Sequence, residues 1–317
     1  MINKRALLMV YGLIWIVSVL SSCSGNKSKQ IPESPTIGNI KISVDQSYQL
    51  MTEAQLDVFQ SLYIYAHVTA YYKPQFDCYN DLMMDSVRFI IVNKKLTPAQ
   101  LDQLKAKQII ARTTKIAYDA LAFIVNPENP DSTLLYDQVK EIFTGKISTW
   151  KQLNPKSGLG DLQIVFDNKK SSTVTYINDT FALAGKFPAN CSAVNTNEEV
   201  INFVSRNKGA LGIIGVNWIS DPHDSLTHNF MKKIKVLAIG DQTNADGTGA
   251  FYKPYQAYIA EGTYPFIRNV YVICRESFSG LGTGFASFIA GEKGQRIILK
   301  GGLVPATMPI RLIEIKK

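Results

Sequence analysis

The chain has 317 residues, a formal net charge of +8 and 46% hydrophobic residues, enough for one large domain or two lobes. The positive excess is modest and no Lys/Arg block stands out, so a nucleic-acid partner is not expected. Four cysteines without a C-x-x-C pair suggest neither a disulfide framework nor a zinc site, and no other metal or cofactor motif occurs.

The first residues set the compartment. Lys4 and Arg5 precede an apolar run from Ala6 to Leu20, and Leu20-Ser-Ser-Cys23 places small residues before a cysteine, the pattern of a signal peptide. The run is 15 residues long, short of the roughly 20 that a bilayer-spanning helix needs. Residues 1–22 are therefore expected to be removed. The cysteine pattern resembles a bacterial lipobox, which implies lipidation at Cys23. Residues 23–38, rich in Ser, Lys and Pro, would then tether the domain to the membrane. Loss of Lys4 and Arg5 lowers the formal charge from +8 to +6. Cys78, Cys191 and Cys274 remain and are expected to be buried apolar side chains.

Along the mature chain, Asn39 to Val44 alternates like a strand and ends in Asp45-Gln-Ser-Tyr48. Thr52 is expected to cap a helix with Leu56, Phe59 and Tyr63 on one face. His67 to Tyr72 predicts a second strand, Gln75 to Met84 a short helix, and Ser86 to Val92 a third strand ending at Asn93. Thr97 at N-cap with Pro98 at N1 starts the next helix. This alternation predicts parallel βαβ units in an α/β sheet, whose ligands bind beyond the carboxyl ends of the strands. Those ends carry Gln46, Ser47, Pro74, Gln75 and Asn93. Ile116 to Asn126 is a long apolar run that exceeds an average strand and can pass between two lobes. Leu134 to Phe143 reads as a helix stopped by Gly145. Asn197 to Asn207 reads as a helix and Gly209 to Gly215 as a strand. His223 and His228 sit in a polar loop with no completing metal ligands. Tyr264 to Cys274 is a second long strand, followed by helices from Leu281 and from Glu292.

The organising stretch is Leu162-Gln-Ile-Val-Phe-Asp-Asn-Lys-Lys-Ser-Ser-Thr173. A short apolar strand ends in a polar turn, and Ser171, Ser172 and Thr173 open a helix with Val174, Ile177 and Phe181 on its buried face. Unpaired backbone N–H groups, a positive dipole end and three hydroxyls suit an oxyanion. Plain N-capping needs only one of the hydroxyls, so both readings stand on this stretch alone.

Several runs together resemble the phosphate-binding lipoproteins of ABC transporters. They are Ile116-Ala-Tyr-Asp-Ala-Leu-Ala-Phe-Ile-Val-Asn-Pro127, Glu141-Ile-Phe-Thr-Gly-Lys-Ile-Ser-Thr-Trp150, Tyr264-Pro-Phe-Ile-Arg268 and Gly294-Gln-Arg-Ile-Ile-Leu-Lys-Gly-Gly-Leu-Val-Pro305. The resemblance implies an α/β, two-lobed type II periplasmic-binding-protein-like fold with the lobes joined by two crossing strands. Residues 39–119 with 268–317 would form lobe 1, and 120–267 lobe 2. It implies a non-enzymatic solute-binding protein on the periplasmic side of a bacterial membrane, capturing phosphate or a related oxyanion between the lobes and passing it to an ABC permease in the inner membrane.

Carried across, the family's hydroxyl–aromatic loop is matched by Ser47 and Tyr48, and its Ser-Gly-Thr by Ser171-Ser172-Thr173. Its acidic proton acceptor is replaced by Asn93, and an arginine of the family by Asp167. Gln75 and Asn168 complete the expected ligand-binding set. Losing the arginine removes a charge-assisted donor worth about 1.5–3 kcal/mol, for which Lys169 and Lys170 are the candidate replacements; otherwise neutral donors would carry the binding. Alternatives on the same fold are a sensor or interaction module with an altered site, and, remotely, a hydrolase at Ser172.

Overall fold

The computed structural model describes residues 32–221, 223–240 and 249–308. The expected signal peptide, Cys23 and residues 23–31 of the tether lie outside the described residues. Glu33 does not belong to a loose tether: its carboxylate accepts from Arg88 at 3.0 Å and from the Leu281 N–H at 3.2 Å.

The strands are β1 (Gly38–Asp45), β2 (Ala66–Lys73), β3 (Phe89–Val92), β4 (Arg112–Val125), β5 (Thr133–Leu135), β6 (Gln163–Phe166), β7 (Cys191–Ala193), β8 (Ala210–Gly215), β9 (Lys235–Val236), β10 (Ala238–Gly240), β11 (Phe251–Tyr252), β12 (Ile267–Cys274) and β13 (Val304–Pro305). The main sheet runs β2-β1-β3-β12-β4-β8-β6-β7, with β9 and β13 also on β4. β1 pairs in parallel with β2 and β3, and β6 in parallel with β7 and β8. These are the two α/β halves that the alternating elements predict.

β4 joins the halves. Its first part pairs with β12, which also pairs with β3, and its last residues, Leu121 to Val125, pair with β8. The 14-residue length of β4 lets one strand serve both halves, because residues Ile116–Val125 are almost all apolar and packed on both faces. β12 begins at Ile267, three residues later than its apolar run suggests. The Phe266 carbonyl still accepts from the Leu121 N–H, so the second crossing is real but shorter.

Local starts and stops follow side-chain chemistry. Thr97 and Gln100 form a reciprocal capping box with Pro98 inside the first turn. Gly145, at φ +77°, follows the helix Tyr136–Phe143. Three expectations fail. Thr52 is not a cap: the 3-10 turn Gln46–Tyr48 runs straight into the helix Gln49–Leu62, and Thr52 lies buried in it, donating to the Tyr48 carbonyl. Thr133–Leu135 is a strand, held by β10, rather than a helix start. His228 lies in the helix Ser225–Met231, not a loop, because Asp224 caps it. Cys78 and Cys274 are buried and Cys191 is half-buried, all unpaired. Among the described residues no helix is long and apolar enough to cross a membrane, and no cluster of His, Cys, Asp and Glu fits a metal.

Candidate functional site

The carboxyl ends of three strands, the middle of β4 and the start of β12 meet at one buried point. β1 ends at Asp45 and turns through Gln46–Tyr48; β3 ends beside Asn93; β6 runs into Asp167 and the turn before the helix Ser172–Thr180. Ser171 is the N-cap of that helix, accepting from the Val174 N–H at 3.2 Å. Its hydroxyl donates to Asp167 Oδ1 at 2.6 Å. Capping therefore uses one of the three hydroxyls. Ser172 and Thr173 are free for something else.

Ser172 faces the other half of the sheet. Its Oγ lies 3.3 Å from Ser47 Oγ and accepts from Arg268 Nη1 at 3.0 Å. Arg268 stands on β12 directly across the ladder from Asp119 on β4. Its Nε donates to Asp119 Oδ2 at 2.7 Å, and both side chains are almost fully buried. Burial opposes the charge on Arg268, but Tyr48, Asp119 and Asp45 around it more than offset this and hold its pKa above the usual value. Burial pushes Asp119 up, against the opposing pull of Arg268. Asp45 is also pushed up by burial, with Arg268 and the Ser172 hydroxyl working the other way.

Several buried polar atoms here have no hydrogen-bond partner among the described residues: both amide atoms of Asn93, Thr173 Oγ1, Arg268 Nη2, Tyr48 OH, Asp119 Oδ1 and Asp45 Oδ2. Unsatisfied buried polar groups are costly, and their concentration at one point marks a place built to receive a polar ligand.

The remaining expected residues hold the frame. Gln75 Oε1 accepts from the Asn93 N–H at 2.8 Å and so positions Asn93. Asn168 Oδ1 accepts from the Lys170 N–H at 2.9 Å and shapes the turn. Tyr48 presents its ring to the Arg268 guanidinium, 5.4 Å from the centroid. Asp167 is bonded through both oxygens, to Ser171 and, at 3.3 Å, to Asn197 Nδ2. Lys169 and Lys170 do not replace the missing arginine: both are exposed, and Lys170 pairs with Asp77 at 3.2 Å on the rim. Lys94 and Asp179 form a second rim pair. Such exposed pairs contribute about 0–1 kcal/mol each.

Five residues outside the expected set build the site: Asp45, Asp119, Asn197, Gly215 and Arg268. Asn197 connects the halves, its Nδ2 reaching Gln46 Oε1 at 2.5 Å and its Oδ1 accepting from the Gly215 N–H at 3.2 Å. A signal for two of them was present, since Asp119 and Arg268 each interrupt an otherwise apolar strand, and a charge placed there must be paired.

Asp167 also gives a pH dependence. Burial raises its pKa from 3.8 to about 6, against the hydrogen bond from Ser171. A raised acid costs stability progressively as pH rises through that interval, because the folded state holds the proton more tightly than the unfolded one. Asp167→Asn should therefore gain on the wild type by about 1–3 kcal/mol between pH 4 and pH 7. Urea unfolding at both pH values measures the difference; a constant gap would show that Asp167 ionises without penalty.

Comparisons place this arrangement among known proteins. A family model described as a PBP superfamily domain matches residues 30–293. The phosphate-binding protein PstS of Staphylococcus saprophyticus is 26% identical over 205 residues, 64% of this chain and 60% of that protein. PstS of Bacillus subtilis is 25% identical over 221 residues, 68% of this chain and 64% of that protein. The chain thus spans less than two thirds of these two relatives. Among solved structures, a phosphate ABC transporter substrate-binding protein from Clostridium perfringens, described with bound phosphate, superposes with a TM-score of 0.71 at 19% identity, covering 85% of this chain and all of that one. A phosphate transport receptor from Vibrio cholerae gives 0.62, also at 19% identity, over 86% of this chain. These relatives are named as binding proteins, not enzymes. With the family model spanning most of its length and the two-halved sheet shared with these structures, the chain belongs to the PBP superfamily and has the type II periplasmic-binding-protein fold.

Proposed function

We propose that this protein captures inorganic phosphate, or a related tetrahedral oxyanion, between the two halves of its sheet and delivers it to an ABC permease from a lipid anchor at Cys23. In this reading residues 39–119 with 268–317 form one lobe, 120–267 the other, and the protein works on the periplasmic side of the membrane. The observation that carries the reading is Arg268: a buried guanidinium, fixed by Asp119 and Ser172, whose Nη2 has no partner among the described residues. Through Ser172 it reaches the N-terminus of the helix Ser172–Thr180. Charge-assisted donors of this kind, joined to backbone N–H groups at a helix start, are what a tetrahedral anion needs.

Affinity then rests on one fixed positive charge supported by neutral donors, instead of on neutral donors alone. Ser172 touches Arg268 and Ser47 and lies beside Asp45, with no histidine among its described contacts.

Calorimetric titration with phosphate, after unfolding and refolding to strip carried ligand, tests the reading. The expected result is a submicromolar Kd, about −8 kcal/mol or better. Ser172→Ala should weaken it about 10- to 100-fold. Thr173→Val, which removes an unpartnered hydroxyl at constant shape, should weaken it less. No heat with phosphate, arsenate or sulfate would sink the assignment.

A further inference from the structure

The charge count of the cleft is out of balance before any ligand enters. Three buried carboxylates, Asp45, Asp119 and Asp167, surround one buried cation, Arg268. If all were ionised the site would carry two excess negative charges, and an incoming anion would deepen the deficit. Burial of uncompensated charge is costly, and such groups neutralise by binding protons.

The three acids are not equivalent. Asp119 holds Arg268 at 2.7 Å. Asp167 receives the Ser171 hydroxyl and the Asn197 amide, one on each oxygen. Asp45 receives the Ser47 N–H at 3.1 Å on Oδ1, and the Ser172 hydroxyl beside it also favours its charged form. Its Oδ2 is buried with no partner among the described residues. Asp119 also has an unpartnered oxygen, but its other oxygen holds the guanidinium directly, so of the three only Asp45 combines an unpartnered second oxygen with no charged hydrogen-bond donor. Its surroundings are Tyr48 on its own turn, Cys78 and Tyr79 from the helix Gln75–Met83, Asp119 on β4, Arg268 on β12, and Asp167 with Ser172 across the cleft. Lys73, opposite Asp45 on β2, is paired with Asp81 at 2.6 Å; Arg268 is the other positive charge nearby, and it is already shared with Asp119. Burial and the Asp119 carboxylate both push Asp45 toward its neutral form.

We propose that Asp45 is the proton-holding residue of the cleft: still ionised at alkaline pH while the cleft is empty and Arg268 faces it, it meets the bound oxyanion as a neutral carboxylic acid, so that capture of the anion takes up one proton from solution. The proposal rests on the oxyanion reading of the site. The proton is taken from buffer onto Asp45 Oδ2, where the new O–H can donate to the ligand; no other bond changes. Where the ligand itself carries a proton, that proton and the one on Asp45 belong to the pair jointly. The functional consequence is a receptor that grips most tightly in acidic surroundings and weakens as they become alkaline, since a ligand bound together with a proton loses affinity as protons become scarce.

The test is calorimetric titration with phosphate at about pH 8.5, where phosphate is already nearly all dianion and Asp167, titrating near 6, is ionised. Running it in two buffers of different ionisation enthalpy counts the protons exchanged. The wild type is expected to take up about one proton per phosphate, and its Kd to rise up to tenfold for each pH unit above that. Asp45→Asn, which keeps the shape and a donor but cannot titrate, is expected to bind with no proton uptake and a flat pH profile. Asp167→Asn is expected to keep the uptake.

Phosphate binding by the wild type with no proton taken up would overturn the proposal while leaving the phosphate reading intact. Uptake that persists in Asp45→Asn, or vanishes in Asp167→Asn, would assign the proton elsewhere and overturn it too. Absence of any phosphate binding by the wild type would remove the functional reading itself, and this proposal with it. Thermal unfolding of both variants checks that they are folded. Should Asp45→Asn fail to fold, the proton count of the wild type still decides.

Discussion

Replacing Arg268 with methionine is expected to abolish phosphate binding and to destabilise the fold by about 3–5 kcal/mol, the cost of breaking a buried ion pair from one side. The two losses have different origins. Stability falls because Asp119, fully buried, loses its countercharge and the hydrogen bond from Arg268 Nε. Binding falls because the ligand loses the fixed cation of the cleft and because Ser172 loses the donor that orients its hydroxyl. The double variant Arg268→Met with Asp119→Asn separates them. Removing both charges should restore much of the stability, since neither partner is left uncompensated, yet binding should stay at least 100-fold weaker than wild type. Arg268→Lys should fall between: the charge remains, but an ammonium cannot hold Asp119, Ser172 and a ligand at once as a planar guanidinium can. Urea unfolding and phosphate titration on the same three proteins read both effects. If the double variant binds phosphate like the wild type, Arg268 is a structural pair and the cleft's charge lies elsewhere.

The same pair shows how far the sequence could be read and where it stopped. The crossing strands were legible because Ile116–Asn126 is too long and too apolar for an ordinary strand, and because β1, β2 and β3 alternate with helices in the manner of βαβ units. Ser171, Ser172 and Thr173 were legible because a helix start has a chemical signature. The division of labour among them was not. That Ser171 caps while Ser172 turns to Arg268 depends on contacts 96 residues apart. Asp119 and Arg268 were visible as misplaced charges, but their pairing depends on the antiparallel register of β4 and β12, which no local pattern states. A position-by-position transfer from relatives left an aspartate where an arginine was expected at residue 167, and hence a site short of positive charge. The fold supplies that charge from another strand. Gln75, a polar residue at a strand end, was read as a ligand contact; the contact it makes within the protein, Oε1 on the backbone N–H of Asn93, depends on packing that the sequence does not state.

Gly215 offers a test of geometry without any change of charge. It ends β8 opposite Leu121 of β4 and has φ −69°, a conformation open to any residue. Glycine is required there by space alone. A Cβ at this position would lie 2.8 Å from Arg268 Nη2 and 3.4 Å from Ser47 Cβ. The guanidinium cannot simply swing away, because its Nε is held by Asp119 and its Nη1 by Ser172. Ser47 is fully buried and cannot retreat far. Gly215→Ala should therefore fold, at a cost of about 1–3 kcal/mol for overpacking, and displace Nη2, the arginine nitrogen that has no partner within the described protein. A misplacement of this size in a preorganised site is expected to weaken phosphate binding at least tenfold, since a charge-assisted hydrogen bond worth about 1.5–3 kcal/mol is lengthened or lost. Titration together with urea unfolding gives the answer. A large loss of affinity with a small loss of stability would place Nη2 at the ligand, whereas unchanged affinity would mean that the anion is held without it, by Asn93, Thr173 and the helix N-terminus alone.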